Sequence, residues 1–295
     1  MKRNELMKKS DFNIEVKNGK WQVPNSENTF KSELEEKTLT LTFNANSSSS
    51  VKIKSSYDGN RTDDQKLVIK AEEGAKVFIS EELTGSGNYC LKNETELFVA
   101  KNAQVKFVSF EKNSYLSEYL SALNVQLDEN ANVSVVSICE GAKKVNNEIV
   151  AELNAKEAQI ELYGLIKGHK EQEITNKVSV EHKVPSCTSR ALYKGIYKDK
   201  SKGTFDGLIK VQPDAQKTEA IQTVKSLLLS PDAVSNATPQ LIIYADDVKC
   251  SHGSTVGRLD EQALFYLQSR GIPEKDAKDL LIEAFANEVL DKCDI

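Results

Sequence analysis

Three histidines and five cysteines are the side chains of this 295-residue sequence best suited to bind a soft metal or act as nucleophiles. Only one stretch brings both types together: Tyr244-Ala245-Asp246-Asp247-Val248-Lys249-Cys250-Ser251-His252-Gly253. If this run is a strand, Asp246, Val248, Cys250 and His252 share one face, because successive side chains alternate. A thiolate beside an imidazole is a donor pair suited to iron or zinc. Two donors do not complete a tetrahedral site, so a metal held here needs ligands from elsewhere in the chain or from a second chain. The plainer reading of an isolated Cys-x-His pair is a buried thiol next to a satisfied histidine.

The remaining thiols and imidazoles form no such grouping. Cys90 and Cys139 sit in apolar strand contexts and read as small core residues. Cys293 falls in a terminal helix, and Cys187 in the polar turn Pro185-Ser186-Cys187-Thr188-Ser189-Arg190, where a functional thiol stays open. His169 and His182 are fixed by no Ser-His-Asp or Cys-His spacing. No GxxxxGK[ST] or GxGxxG turn is present, which excludes nucleotide binding by those routes, and HExxH and paired CxxC zinc spacings are missing.

The elements that position Cys250 and His252 read as strands. From Thr38 to about Tyr244 apolar and polar residues alternate over short runs, as in Leu39-Thr40-Leu41-Thr42-Phe43 and Val105-Lys106-Phe107-Val108. Polar or Gly/Asn-containing pieces such as Tyr57-Asp58-Gly59-Asn60 separate them. A turn ending in alanine precedes a strand at Ala75, Ala103, Ala131 and Ala158, spaced 27 or 28 residues apart, and again at Ala215. Such a period suggests stacked units that bury their apolar faces against one another, with a β-helix as the natural solution. An antiparallel β-sandwich with evenly spaced turns is the competing arrangement. After Leu259 the period becomes helical: Asp260 suits an N-cap, Gly271 a stop, and Pro273 the first turn of a second helix. Ala277, Leu280, Leu281, Ala284, Phe285 and Val289 form one apolar stripe there. Three regions result: a poorly patterned segment 1–37, a β-helix core 38–258, and a helical region 259–295.

Composition narrows the function classes. A net charge of −5 with lysines interleaved among acids gives no footprint for nucleic acid or a membrane surface. The basic Met1–Lys9 has no apolar stretch behind it, and no run reaches the roughly 18 apolar residues of a membrane span. The odd, scattered cysteines read as free thiols of a reducing compartment, so a cytoplasmic (or plastid stromal) protein is expected.

Several segments in order resemble the SufB/SufD family of iron–sulfur cluster assembly proteins. They are Val180–Ile196, Gly203-Thr204-Phe205-Asp206-Gly207, Ala215–Thr218, Gln222-Thr223, Leu227–Ser230, Pro239-Gln240-Leu241, Asp246–Gly253 and Leu264–Ile272. The match favours the SufD branch. SufB-like chains carry an Arg-x-Glu-His-Glu-Ala-type segment in place of Lys249–Gly253, and a cysteine within the segment matching Ala220–Ser226, which this chain lacks. The resemblance implies a right-handed parallel β-helix (solenoid) with a C-terminal α-helical segment, and a role as a scaffold subunit and not as an enzyme. It implies a SufB-like partner at the β-helix end, with a homodimer when alone. It also implies a SufC-like ABC ATPase docked on the C-terminal helices through Leu264, Phe265, Leu280, Leu281, Ala284, Phe285 and Val289. His252 and Cys250 would contribute ligands to iron or a transient iron–sulfur cluster shared with the partner, with no permanently bound cofactor. The family carries a longer helical N-terminal region, so strands starting near residue 38 read as a short form. Other readings are a homodimeric family member that supplies iron, and a β-helix polysaccharide lyase or hydrolase, for which Asp246-Asp247 is the only tempting acidic pair.

Overall fold

The computed structural model describes residues 12–24 and 29–293. One sheet holds ten strands: β1 (Phe12–Lys17), β2 (Lys20–Gln22), β5 (Ser48–Tyr57), β7 (Lys76–Gly85), β9 (Gln104–Lys112), β11 (Asn132–Glu140), β13 (Gln159–Gly168), β15 (Thr188–Tyr197), β17 (Thr218–Leu228) and β19 (Val248–Gly257). The other holds nine: β3 (Phe30–Glu35), β4 (Thr38–Phe43), β6 (Arg61–Ala71), β8 (Tyr89–Val99), β10 (Glu118–Leu127), β12 (Lys144–Leu153), β14 (Glu173–His182), β16 (Lys202–Val211) and β18 (Val234–Ile243). From β4 onward the chain alternates between the sheets and all pairings are parallel, so each pair of strands makes one turn of a β-solenoid. The sandwich alternative falls, because its neighbouring strands would run antiparallel.

The repeat comes from the corners. Gly74, Asn102, Asn130 and Glu157 have positive φ (70°, 59°, 52° and 63°), a region Gly and Asn tolerate best. The next residue, Ala75, Ala103, Ala131 or Ala158, points inward with no exposed surface. Cys187, after Ser186 at φ 63°, takes the same place in the next turn. It is wholly buried, and its Sγ lies 3.2 Å from the Ala155 carbonyl. Cys187 is therefore a corner-filling residue, which closes the option of a functional thiol in a polar turn.

The expectation that strands begin near residue 38 is corrected. Phe12, Ile14 and Val16 alternate inward along β1, which pairs in parallel with β5 and turns back through Asn18-Gly19 into β2. β3 folds antiparallel onto β4. Phe12 and Phe30 meet edge-on with ring centroids 4.7 Å apart, and Phe30 and Phe43 lie tilted at 5.2 Å. These strands are short and interrupted by tight turns, so their alternation is hard to see in sequence. The basic Met1–Lys9 lies outside the described residues.

Two helices follow: α1 (Glu261–Ser269) and α2 (Glu274–Leu290). The Asp260 side chain accepts from the backbone N–H of Gln262 at 2.8 Å and of Ala263 at 3.2 Å, capping α1. α2 and the residues just after it lie across the outer face of the ten-stranded sheet. Ala286, Val289 and Cys293 pack there with Val136, Ile138, Tyr163, Leu165 and Ile196, which explains why these strands are apolar on both faces. Lys194 fixes the contact. It is 3% exposed, donates to the Phe285 carbonyl at 2.8 Å, stacks on the Phe285 ring and pairs with Glu288. α1 buries no residue completely and packs on α2. Among the described residues no helix is long and apolar enough to cross a membrane.

Candidate functional site: the open end of the solenoid

β18 and β19 are the last strands of their sheets. Each has a neighbour on one side only, β16 and β17 respectively. Their outer edges carry a row of backbone N–H and C=O groups available to another strand. Cys250 sits beside Ala220, and His252 beside Gln222. Ala220 and Gln222 are 0% and 1% exposed and point into the solenoid, so Cys250 and His252 face the same way. Among the described residues no further turn covers them. Cys250 is half-buried, and His252 is exposed. Lys249, between them, faces outward and pairs with Glu219 at 3.1 Å.

The structure thus joins Val248, Cys250 and His252 on one face, where their side chains stand about 7 Å apart at each step of two residues. It does not add Asp246, which lies exposed in the bend before β19, while the neighbouring Asp247 N–H donates to Gln216 Oε1 at 2.9 Å. Burial raises the Cys250 thiol pKa above its ordinary value, with a hydrogen bond to the Ala220 backbone acting against it. A proton must therefore leave before this sulfur binds a metal, and an approaching cation would favour that loss. Among the described residues no three His, Cys, Asp or Glu side chains are grouped to hold a metal. Cys250 and His252 alone supply two donor atoms.

The rim around them is apolar. Ile243 is 38% exposed, Tyr244 60% and Val256 48%. Large aliphatic side chains left uncovered on two adjoining edges make a surface suited to a partner chain.

The other residues singled out in the sequence lie elsewhere. His182 is wholly buried, with Nε2 2.8 Å from Ser189 Oγ, and burial depresses its pKa to about 4, so it is a neutral core residue. His169 packs near Tyr115 at a corner. Cys139 and Cys293 are buried, whereas Cys90 is half-buried, against its reading as a core residue, because it alternates outward on β8. The apolar stripe of the helices divides. Val289 is buried on the sheet, Phe285, Leu281 and Leu264 are half-buried, and Leu280, Ala284 and Phe265 are exposed, Phe265 to 71%. Tyr266, also exposed, adjoins Phe265 and was not foreseen. Nor were Glu81 and Glu111, two carboxylates inside the solenoid, each 4% exposed. An acidic residue at an inward position of an alternating strand was the available signal.

Comparison with known proteins agrees with this architecture. Residues 53–285 match the family described as SUF system FeS cluster assembly, SufBD core domain. The chain is 37% identical over 191 residues to the iron–sulfur cluster assembly protein SufD of Escherichia coli, covering 65% of this chain and 45% of that protein. It is 33% identical over 233 residues to the chloroplastic protein ABCI7 of Arabidopsis thaliana, covering 77% and 49%. A SufBD family protein of Synechocystis is 28% identical over 239 residues, covering 77% and 52%. The chain spans about half the length of these curated relatives.

Proposed function

The chain belongs to the SufBD core family and is most like its SufD members, and from that premise we propose that it is a scaffold subunit for iron–sulfur cluster assembly, not a free-standing enzyme. The observation that carries this reading is the pair Cys250 and His252, aligned on the inward face of an uncovered last turn. In this reading a SufB-like chain docks on the edges of β18 and β19. It covers Ile243 and Val256 and supplies the missing ligands. The nascent cluster is then cargo held between two chains. It gains sulfur and imidazole donors from this one and leaves when the contact opens. No cofactor stays permanently bound.

The helices suit a second role. α2 is anchored at its C-terminal half by Lys194, while Phe265, Tyr266 and Leu280 face outward beside it. This surface is offered to a SufC-like ATPase, whose nucleotide-driven movement would act on the solenoid through α2. The absence of a phosphate-binding loop in the sequence fits that division of labour. An exposed histidine and a half-buried thiol contribute little to folding. The assembled complex should therefore lose most of its cluster in Cys250→Ser and His252→Ala, with the fold intact. Iron and acid-labile sulfide per complex, with the visible absorption of the cluster, measure this. Unchanged cluster content in both variants would remove the open end from the chemistry.

A further inference from the structure

Beneath the open end, the inward side chains of β16 and β17 form a floor. Phe205 and Ile209 come from β16, and Ala220, Gln222 and Val224 from β17, each at most 5% exposed. Gly207, between Phe205 and Ile209, contributes no side chain, and the Gln222 amide lies over it: a methyl group at Gly207 would fall on Gln222 Nε2. Both residues belong to segments that carry the family resemblance, and neither has a part in the site described so far. The next layer is the last turn, where His252 stacks beside Gln222 and Pro239 beside Gly207. The amide thus lies one level below the uncovered interior that Cys250 and His252 face.

Gln222 is the odd member of this floor. The other polar side chains turned inward on β17 are satisfied. Thr218 Oγ1 donates to the Ala215 carbonyl at 2.8 Å, and Ser226 Oγ accepts from Ser235 Oγ at 2.7 Å. Gln222 is 1% exposed, and its Nε2 has no hydrogen-bond partner among the described residues. A primary amide nitrogen offers two N–H donors. Leaving a buried donor unpaired costs about 1–3 kcal/mol, and an aliphatic side chain of similar size would avoid that cost. The position reads as a donor whose acceptor arrives from outside the chain.

We propose that Gln222 donates an amide N–H to an inorganic sulfide of the iron–sulfur cluster held at Cys250 and His252, as a third contact from this chain. The inference rests on the open-end reading above and adds a hydrogen-bond donor to its two metal donors. Adjacent strands lie about 4.8 Å apart, so an atom bound at the level of His252 is within reach of the amide beneath it. A cluster sulfide carries negative charge and accepts hydrogen bonds, which are among the levers that set a cluster's potential. The aliphatic and aromatic side chains of the floor offer it no donor. An amide N–H is not a ligand for iron, so it supports the cluster without taking a coordination position from the partner chain.

The test uses the complex of this chain with its SufB-like and SufC-like partners, loaded anaerobically with ferrous iron and sulfide. Resonance Raman bands of the iron–sulfide stretches should move on transfer from H₂O to D₂O, and should move less in Gln222→Leu. An iron chelator should strip the cluster from Gln222→Leu about tenfold faster or more. The isolated variant should melt no lower than the wild type, since it buries no unpaired donor. Equal isotope shifts and equal stripping rates in the two proteins would overturn the proposal. A lower melting temperature would make the amide a structural residue and overturn it as well. The Cys250→Ser/His252→Ala double variant separates the two claims. If it loses the cluster while Gln222→Leu behaves as the wild type, this inference alone falls. If it keeps the cluster with the wild-type isotope shift, the open-end reading falls and this inference with it.

Discussion

At its first turns the solenoid folds back on itself. The β1–β2 hairpin and the antiparallel return of β3 onto β4 occupy the sheet edges, with Phe12, Phe30 and Phe43 packed together and Trp21 Nε1 bonded to the Lys37 carbonyl at 3.1 Å. At its last turn β18 and β19 each lack a neighbour, and Ile243, Tyr244, Val256 and His252 stand uncovered. Stacked-repeat proteins need caps because each unit buries one face against the next. One end has its cap in its own chain. The other leaves an apolar rim and two side chains of metal-donor type uncovered among the described residues.

This contrast can be broken by matched truncations. Phe30→Ala, at a residue 1% exposed, should cost about 3–5 kcal/mol in urea unfolding. Ile243→Ala on the open rim should cost the isolated chain less than about 1 kcal/mol. Equal losses would mean that the isolated chain closes its last turn by itself.

The interior between the ends gives the next effect. Burial raises the pKa of Glu81 from 4.5 to about 7, and that of Glu111, with Glu81 nearby, to about 8. Raised acids bind protons more tightly in the folded than in the unfolded chain, so stability falls as pH rises from about 4.5 to about 8. A tenfold difference in proton affinity corresponds to about 1.4 kcal/mol, and the protein should lose a few kcal/mol across this window. Glu111→Gln should flatten the melting temperature against pH, and an unchanged slope would place the titration elsewhere.

The smallest effect concerns the helices. Lys194→Met removes the charged donor to the Phe285 carbonyl and the partner of Glu288, and should cost about 1.5–3 kcal/mol. Glu288, whose pKa is lowered chiefly by Lys194, should return toward the usual carboxylate range. Hydrogen exchange should quicken in α2 while β5 to β9 keep their protection. Loosening of both would tie α2 to the whole solenoid.

Much of this was legible in the sequence because each signal was local. The alanines every 27 or 28 residues mark inward corners, and Cys-x-His on a strand must share a face. What escaped depended on the stacking of distant turns. Cys187 looked like a turn thiol until its register with Ala158 made it a corner filler. Asp246 fell outside the strand because the bend before β19 ends the alternation. Glu81 and Glu111 were not singled out, and the stacking of β7 on β9 is what sets both inside the solenoid. The division of the helical stripe likewise follows from how α2 crosses the sheet.

The most direct test of the open-end account is anaerobic co-expression with the SufB-like and SufC-like proteins of the same genome, read by native mass spectrometry. The account predicts a complex with one copy each of this chain and the SufB-like chain and two of the ATPase. An Ile243→Lys/Val256→Lys variant should lose the SufB-like chain while still carrying the ATPase. A chain that purifies alone or only with itself, or a charged rim that pairs as well as the wild type, would contradict it.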